Sequence, residues 1–411
     1  MTSDGGRPPV RLNLPARPGR PRDRSEPALP RHLRATVARG YRPDDTWTVP
    51  VRHLLDDGSS TGDPEKAAAA LRGPGDPVFT LVAPTYVRRH TLAEQEERLD
   101  RLLERVDEAV REHPGAGFVL LLGMQWSDPE EEPEALRRLE ALLRRAGGHR
   151  SAVRVAGLSL PGPGKPRTLN AAIAVAETLG CAGVGWLDDD VTLEPACLAH
   201  LVGDFMAGGC RGAVGATKIP HAKPHTTSRL LHRAKAVAGP ATNYPHGCCI
   251  LVATEVMAGG MPDRYVSDDG YVCFRLLDPD LPDPLAHLRL VPGARCHYHV
   301  AGPAGETRRR IRRLLLNHLV DLADWPLPVT RHYVRHILLP GMWPLTGWNG
   351  SKGTAHGVAN AAIKWIYFGW FAAVGAELYL RGLFRRPLRG IRWAPYSTAS
   401  APVPADAEPP A

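Results

Sequence analysis

The feature that most constrains this chain is a regular alternation of short apolar runs and amphipathic helical stretches between residues 78 and 190. The run at 78–83, stopped by Pro84, reads as a buried strand. Leu92, Leu99, Leu102, Leu103, Val106 and Val110 then form one stripe of a helix over 91–111. A second strand at 118–122, a helix over 133–146 and a third strand at 152–158 follow. An Ala-rich helix over 169–178 leads into a fourth strand at 183–187. Strands separated by crossover helices of this length predict an α/β fold with a mostly parallel sheet flanked by helices. Ligands bind such sheets at the carboxyl ends of the strands, so the residues directly after each strand are the first place to look for chemistry.

The fourth strand runs straight into Asp188-Asp189-Asp190. Three adjacent carboxylates repel one another unless something positive binds them. Mg²⁺ or Mn²⁺ with a diphosphate behind it would do so, since both ions prefer carboxylate and phosphate oxygens. An exposed acidic loop, or a helix cap ahead of residues 193–202, is the structural alternative. A second acid pair, Asp268-Asp269, follows Ser267 and precedes an apolar stretch. It reads as a helix start, with Ser267 or Asp268 as N-cap. A carboxylate held at a helix N-terminus is rigid and suits a general base, so both readings hold together. An apolar strand at 250–252 and the turn at Gly259-Gly260 would bring this pair to the sheet's edge. His297 and His299 alternate, which puts both on one strand face, either completing a metal site with Asp190 or serving as ordinary hydrogen-bonding residues.

Around this section the composition shifts. Residues 1–75 are rich in Pro, Arg and Gly and read as a largely disordered tail with some structure near 41–55. Residues 76–300 form the globular section, 301–393 a basic and then apolar helical region, and 394–411 a disordered tail. The net charge of +8 favours anionic partners. Nucleic acid is not expected, because no recognised module is present and the basic runs lack interleaved aromatics. The seven cysteines are odd in number and show no C-x-x-C pair, which argues against a disulfide framework. The Arg- and Pro-rich start has no apolar follow-on, so the expected location is cytoplasmic. Lys364 and Glu377 interrupt the apolar stretch 358–380 and argue against a full membrane span. Its aromatics, followed by Arg381, Arg385, Arg386 and Arg389, suit peripheral contact of 358–389 with the inner face of an anionic membrane. A buried helix covering the sheet domain fits equally well.

Pro84-Thr85-Tyr86, then Gly164-Lys165-Pro166-Arg167-Thr168-Leu169-Asn170, then Trp186 through Pro195 resemble family 2 glycosyltransferases of the glycosyltransferase-A fold. Their pattern has a Lys or Arg and an Asn ahead of a strand that ends in Asp-x-Asp. Asp188 and Asp190 fit that pair. The resemblance continues through Gly247 and Gly259-Gly260 to Asp268-Asp269, similar to the family's Glu-Asp pair, and spans residues 78–313. It implies an inverting, metal-dependent transfer from a nucleotide-diphosphate sugar, a UDP-sugar first, to a small-molecule, lipid-linked or peptide acceptor. Mn²⁺ or Mg²⁺ would sit on Asp190 and Asp188, with His299 as a further candidate ligand. Asp269 would be the catalytic base beside Asp268. Pro84, Thr85, Lys165, Asn170, Asp188 and Asp189 would line the donor site, and Arg309 and Arg312 could clamp its diphosphate.

Three departures stand out. Only Ser127-Asp128 survives of an acidic turn after the second strand, Val87 replaces an Asn, and the acceptor motif of processive members is absent. The expectation is therefore a non-processive member. A non-catalytic sugar- or nucleotide-binding protein of the same fold is the main alternative. A sugar nucleotidyltransferase lacks its Gly-rich loop here. The stretch Gly162-Pro163-Gly164-Lys165 is not a P-loop, because Pro166 stands where Ser or Thr is needed.

Overall fold

The computed structural model describes residues 10–14, 51–72, 79–148, 153–162, 164–221, 245–262, 265, 267–299, 304–339 and 354–384. The chain begins with β1 (Arg52–Leu54), β2 (Ser60–Thr61) and α1 (Pro64–Leu71). It continues through β3 (Phe79–Tyr86), α2 (Leu92–Glu112), β4 (Phe118–Trp126), α3 (Glu132–Gly148) and β5 (Arg154–Pro161). Then come α4 (Lys165–Leu179), β6 (Gly183–Leu187), β7 (Val191–Leu193), α5 (Cys197–Ala207), β8 (Ala213–His221) and β9 (Cys249–Ala253). The last elements are α6 (Thr254–Met257), α7 (Asp268–Leu276), β10 (Leu288–His299), α8 (Ala304–Asp324), α9 (Leu327–Tyr333) and α10 (Thr354–Leu383).

All the strands join one sheet in the order β2-β1-β5-β4-β3-β6-β9-β8-β10-β7, flanked by helices. The expectation of a mostly parallel sheet needs correction: four of the nine strand pairings are parallel and five antiparallel. The parallel block β5-β4-β3-β6 is the part built from crossover helices. Beyond it, β9 runs antiparallel to both β6 and β8, which turns the second acid pair back toward the first. β4 is buried along its whole length, as a central strand covered on both faces must be. Pro84 lies inside β3 instead of ending it. β3 pairs with β6 only from Phe79 to Val82, so further on one side of its backbone is unpaired, the setting in which a strand tolerates proline.

The globular body also begins earlier than residue 76. β1 pairs antiparallel with β5, and α1 starts at an Asp63 N-cap and buries Ala67, Ala68 and Leu71. Alanines give such a helix little apolar contrast in the sequence while letting it lie close to the sheet. Residues 10–14 belong to the body too: the Asn13 amide donates to the carbonyls of Phe274 and Leu277 at 3.0 and 2.7 Å, which occupies carbonyls at the C-terminal end of α7.

The acid-bearing helix α7 is held from the side by a buried aromatic cluster. Trp325 is fully buried, with ring centroids 5.5 Å from Tyr271, 5.6 Å from Phe274 and 6.1 Å from Tyr265. Farther along, α8 packs against α10 through Ile311, Leu316, Val374 and Leu378. Among the described residues no helix is long and apolar enough to cross a membrane. Trp325→Ala is expected to lower unfolding free energy by about 3–5 kcal/mol, the usual loss for a buried aromatic. Urea denaturation measures this, and a loss well under 1 kcal/mol would show that the cluster does not brace α7.

Candidate functional site

Lys165 lies at the first position of α4, where a positive charge opposes the helix dipole. The structure compensates that placement with two carboxylates. The Lys165 ammonium donates to Asp188 Oδ1 at 2.6 Å, to Asp268 Oδ2 at 2.7 Å and to the Gly247 carbonyl at 2.6 Å. Burial works against its charge, but Asp188 and Asp268 outweigh that and hold the ammonium well above the ordinary lysine range. The loop before α4 is fixed by Gln125, whose amide donates to Gly164 O at 2.8 Å and to Thr168 Oγ1 at 2.7 Å. Asp268 also accepts a hydrogen bond from the buried Trp186 indole. Gly247 has to be glycine, since a Cβ there would overlap the Asp268 carboxylate.

The three acids after β6 have three different environments. Asp188 is pushed up to about 6, first by burial and then by Asp190 and Asp268, against the pull of Lys165. Asp189 turns inward. It accepts from Thr85 Oγ1 at 2.9 Å and pairs with Arg89 at 2.8 Å. Burial opposes its charge, yet His90, Arg89 and Arg98 hold its carboxyl below the usual range. Asp190 keeps 32% of its side chain exposed, and its ion-pair partner among the described residues is Arg89 at 3.3 Å. A cavity of about 130 Å³ opens beside the triplet, walled by Leu99, Leu102, Met124, Leu187, Asp188 and Asp189.

Asp269 follows Asp268 in the first turn of α7, which Ser267 caps. Its Oδ1 accepts from Ser267 Oγ and from the Gly270 amide, the latter at 2.9 Å. His246 lies 3.6 Å from Oδ2. Burial would raise its pKa, but His246, Ser267 and Lys218 hold it far below the ordinary carboxylate range. Ser267 is itself held by Asn317 of α8 at 3.1 Å.

The structure thus brings together Thr85, Lys165, Asp188, Asp189, Asp190, Asp268 and Asp269, with Pro84 in β3 beside them. Other candidates fall elsewhere. Asn170 spends both amide atoms on Met261, at 2.8 and 2.7 Å, and so fixes the turn before α7. Arg312 faces Glu377 of α10 at 3.7 Å. The His297 ring bonds Glu194 at 2.6 Å. His299 ends β10, but its side chain and that of Arg309 lie outside the described residues. Sequence reasoning missed Arg89, His246 and Lys218. The signal for Lys218 was a lone charge inside an otherwise uncharged strand. For Arg89 it was the Arg-Arg pair directly after β3.

Among the described residues no group of three His, Cys, Asp or Glu side chains could hold a metal ion by itself. All seven cysteines are free thiols.

No family model and no curated relative matches the sequence. The solved structures that overlap with it distantly include the following two. A mycobacterial protein gives a TM-score of 0.31 at 15% identity, covering 67% of this chain and 83% of that one. Residues 1–349 of S. aureus TarS give 0.34 at 12% identity, covering 76% and 93%. Neither likeness is close enough to bear on activity. What the site can do rests on its own geometry.

Lys165→Met would leave Asp188 and Asp268 facing each other without a counter-charge. The expected loss is about 3–5 kcal/mol at pH 7. The sign with pH follows from linkage. The buried Asp188 carboxyl is already raised above its ordinary value and loses the opposing pull of the ammonium, so protonation favours the folded form of the variant. The deficit of the variant should therefore shrink as pH falls from 7 toward 4. Chemical denaturation across that range tests it, and a deficit that stays constant or grows would contradict the pairing.

Proposed function

We propose that this chain is an inverting glycosyltransferase that moves a sugar from a nucleotide-diphosphate sugar to an acceptor hydroxyl or other nucleophile. The observation that carries this reading is the division of the carboxylates. Lys165 occupies Asp188 and Asp268, and Arg89 with Thr85 occupies Asp189. Asp190, which Arg89 meets at 3.3 Å, and Asp269, which His246 meets at 3.6 Å, stay partly exposed beside the Lys165 cluster. An inverting displacement needs such a pair, one acid near the leaving group and one near the incoming nucleophile.

The donor set fits a cation that arrives with a diphosphate better than a cation caged by protein. Asp190, with Asp188 next to it, offers one or two carboxylates, and phosphate oxygens complete such sites for Mg²⁺ or Mn²⁺. When bound there, the ion would supply positive charge for the departing diphosphate. In the transfer step Asp269 accepts the proton of the acceptor as its oxygen bonds to the anomeric carbon. The bond from that carbon to the diphosphate oxygen breaks, and the nucleoside diphosphate leaves with the electron pair. Asp269 stays ionised at neutral pH, but its depressed pKa makes it a weak base on its own. His246, 3.6 Å from Asp269 Oδ2, orients that carboxylate. Lys165 holds the two clusters at a fixed separation. A UDP-sugar is the first donor to test, with small-molecule, lipid-linked and peptide acceptors.

The second reading, a binding protein of the same architecture, differs in turnover alone. A panel of nucleotide sugars with and without Mn²⁺ or Mg²⁺ separates the two. One donor should be turned over only with metal, and Asp190→Ala and Asp269→Asn should each lower turnover by about a hundredfold or more, the scale of losing a general base. Asp269→Asn should still bind that donor. Donor binding without turnover in the wild type would favour the binding protein, and turnover unaffected by Asp269→Asn would remove its assigned role.

A further inference from the structure

The helix α10 has one face against α8 and one facing outward. Its inner face carries Val374 and Leu378. The outward face carries Val358, Trp365, Tyr379 and Leu383, with Trp365 56% exposed. Between them, at helical spacing, come Ala362, Gly369, Ala372 and Ala376. From Val358 to Leu383 this face runs for about 38 Å without a charged residue. A helix face that meets water is normally its charged face, so this one is inverted.

Near its C-terminal end α10 turns a charged cluster toward α8. Glu377 is met by Arg308 at 2.8 Å and Arg312 at 3.7 Å from α8, and by Arg381 of its own helix at 3.1 Å. Three guanidinium groups around one carboxylate leave a surplus of two positive charges at the edge of the apolar face. Among the described residues, two buried nitrogens of Arg312, Nε and Nη2, have no hydrogen-bond acceptor. The sequence adds Arg385, Arg386 and Arg389 directly after the helix.

We propose that this face lies on an anionic lipid surface, with the apolar side chains among the acyl chains and the arginine cluster at the headgroups. Two features favour lipid over a second copy of this chain. The exposed apolar arc is wide, including Ile366 and Leu380 as well as the central stripe. A paired helix would be expected to flank a narrow seam with charged residues. A second copy would also present the same uncharged face and the same surplus of arginine, with no acid to satisfy it. An anionic bilayer supplies both the apolar layer and the counter-charge.

Flotation of the full chain with vesicles tests this. Vesicles of phosphatidylcholine plus phosphatidylglycerol should carry the protein up, and vesicles of phosphatidylcholine alone should do so at least about tenfold more weakly. Added salt should release it. Trp365→Glu should lower binding about tenfold or more while leaving the thermal midpoint unchanged, because Trp365 is mostly exposed. Absence of flotation with anionic vesicles, or flotation unaffected by Trp365→Glu, overturns the proposal. So does a lipid-free dimer, seen by light scattering, that Trp365→Glu converts to monomer, since a second copy then covers the face.

Discussion

The Lys165 ammonium is the contact on which the geometry of this molecule turns. It joins three separate pieces of chain: the strand end at Asp188, the Gly247 carbonyl ahead of β9, and Asp268 at the start of α7. Each of these acids would be costly to bury alone, and so would the lysine. Together they form a short charge-assisted network that cannot lose a member cheaply. The network also sets chain direction. β9 runs antiparallel to β6, so that Gly247 and Cys248 lie beside Asp188, whose amide donates to Cys248 O at 2.9 Å. The aromatic packing around Trp325 and the Asn317–Ser267 bond then brace α7 from behind.

Much of the parallel half of the fold was legible from periodicity. The helices over 91–111 and 133–146 appear within a residue or two of their expected bounds, because each carries a clean apolar stripe. Thr91 and Glu94 add a capping box that fixes the start of α2. The antiparallel half was harder. Strand direction in β8, β9 and β10 depends on long-range pairing, and no local pattern encodes it. The early helix α1 was hidden for another reason: a short alanine-rich helix looks like tail composition.

The site was legible at the level of residue type and less so at the level of partners. The spaced acids and Lys165 lie together in the folded chain. Which acids would be occupied could not be read from spacing. Asp189 is paired with Arg89, and Asp268 with Lys165 and the Trp186 indole N–H, through side-chain directions that only the folded backbone defines. Asn170 and Arg312 were expected at the donor. One holds a turn and the other holds α10. In both cases a polar residue near a functional segment serves the scaffold that positions it.

This partition of roles also separates a site that needs a diphosphate to recruit its cation from one that binds a cation alone. Isothermal titration of Mn²⁺ into the protein, with and without a nucleoside diphosphate, distinguishes them most directly. With Asp190 and Asp188 as the carboxylates that would hold the cation, the site should take up Mn²⁺ tightly only in the presence of the diphosphate. Asp190→Asn should abolish that cooperativity. Tight Mn²⁺ binding to the protein alone, or diphosphate binding indifferent to Mn²⁺ and to Asp190→Asn, would contradict the account.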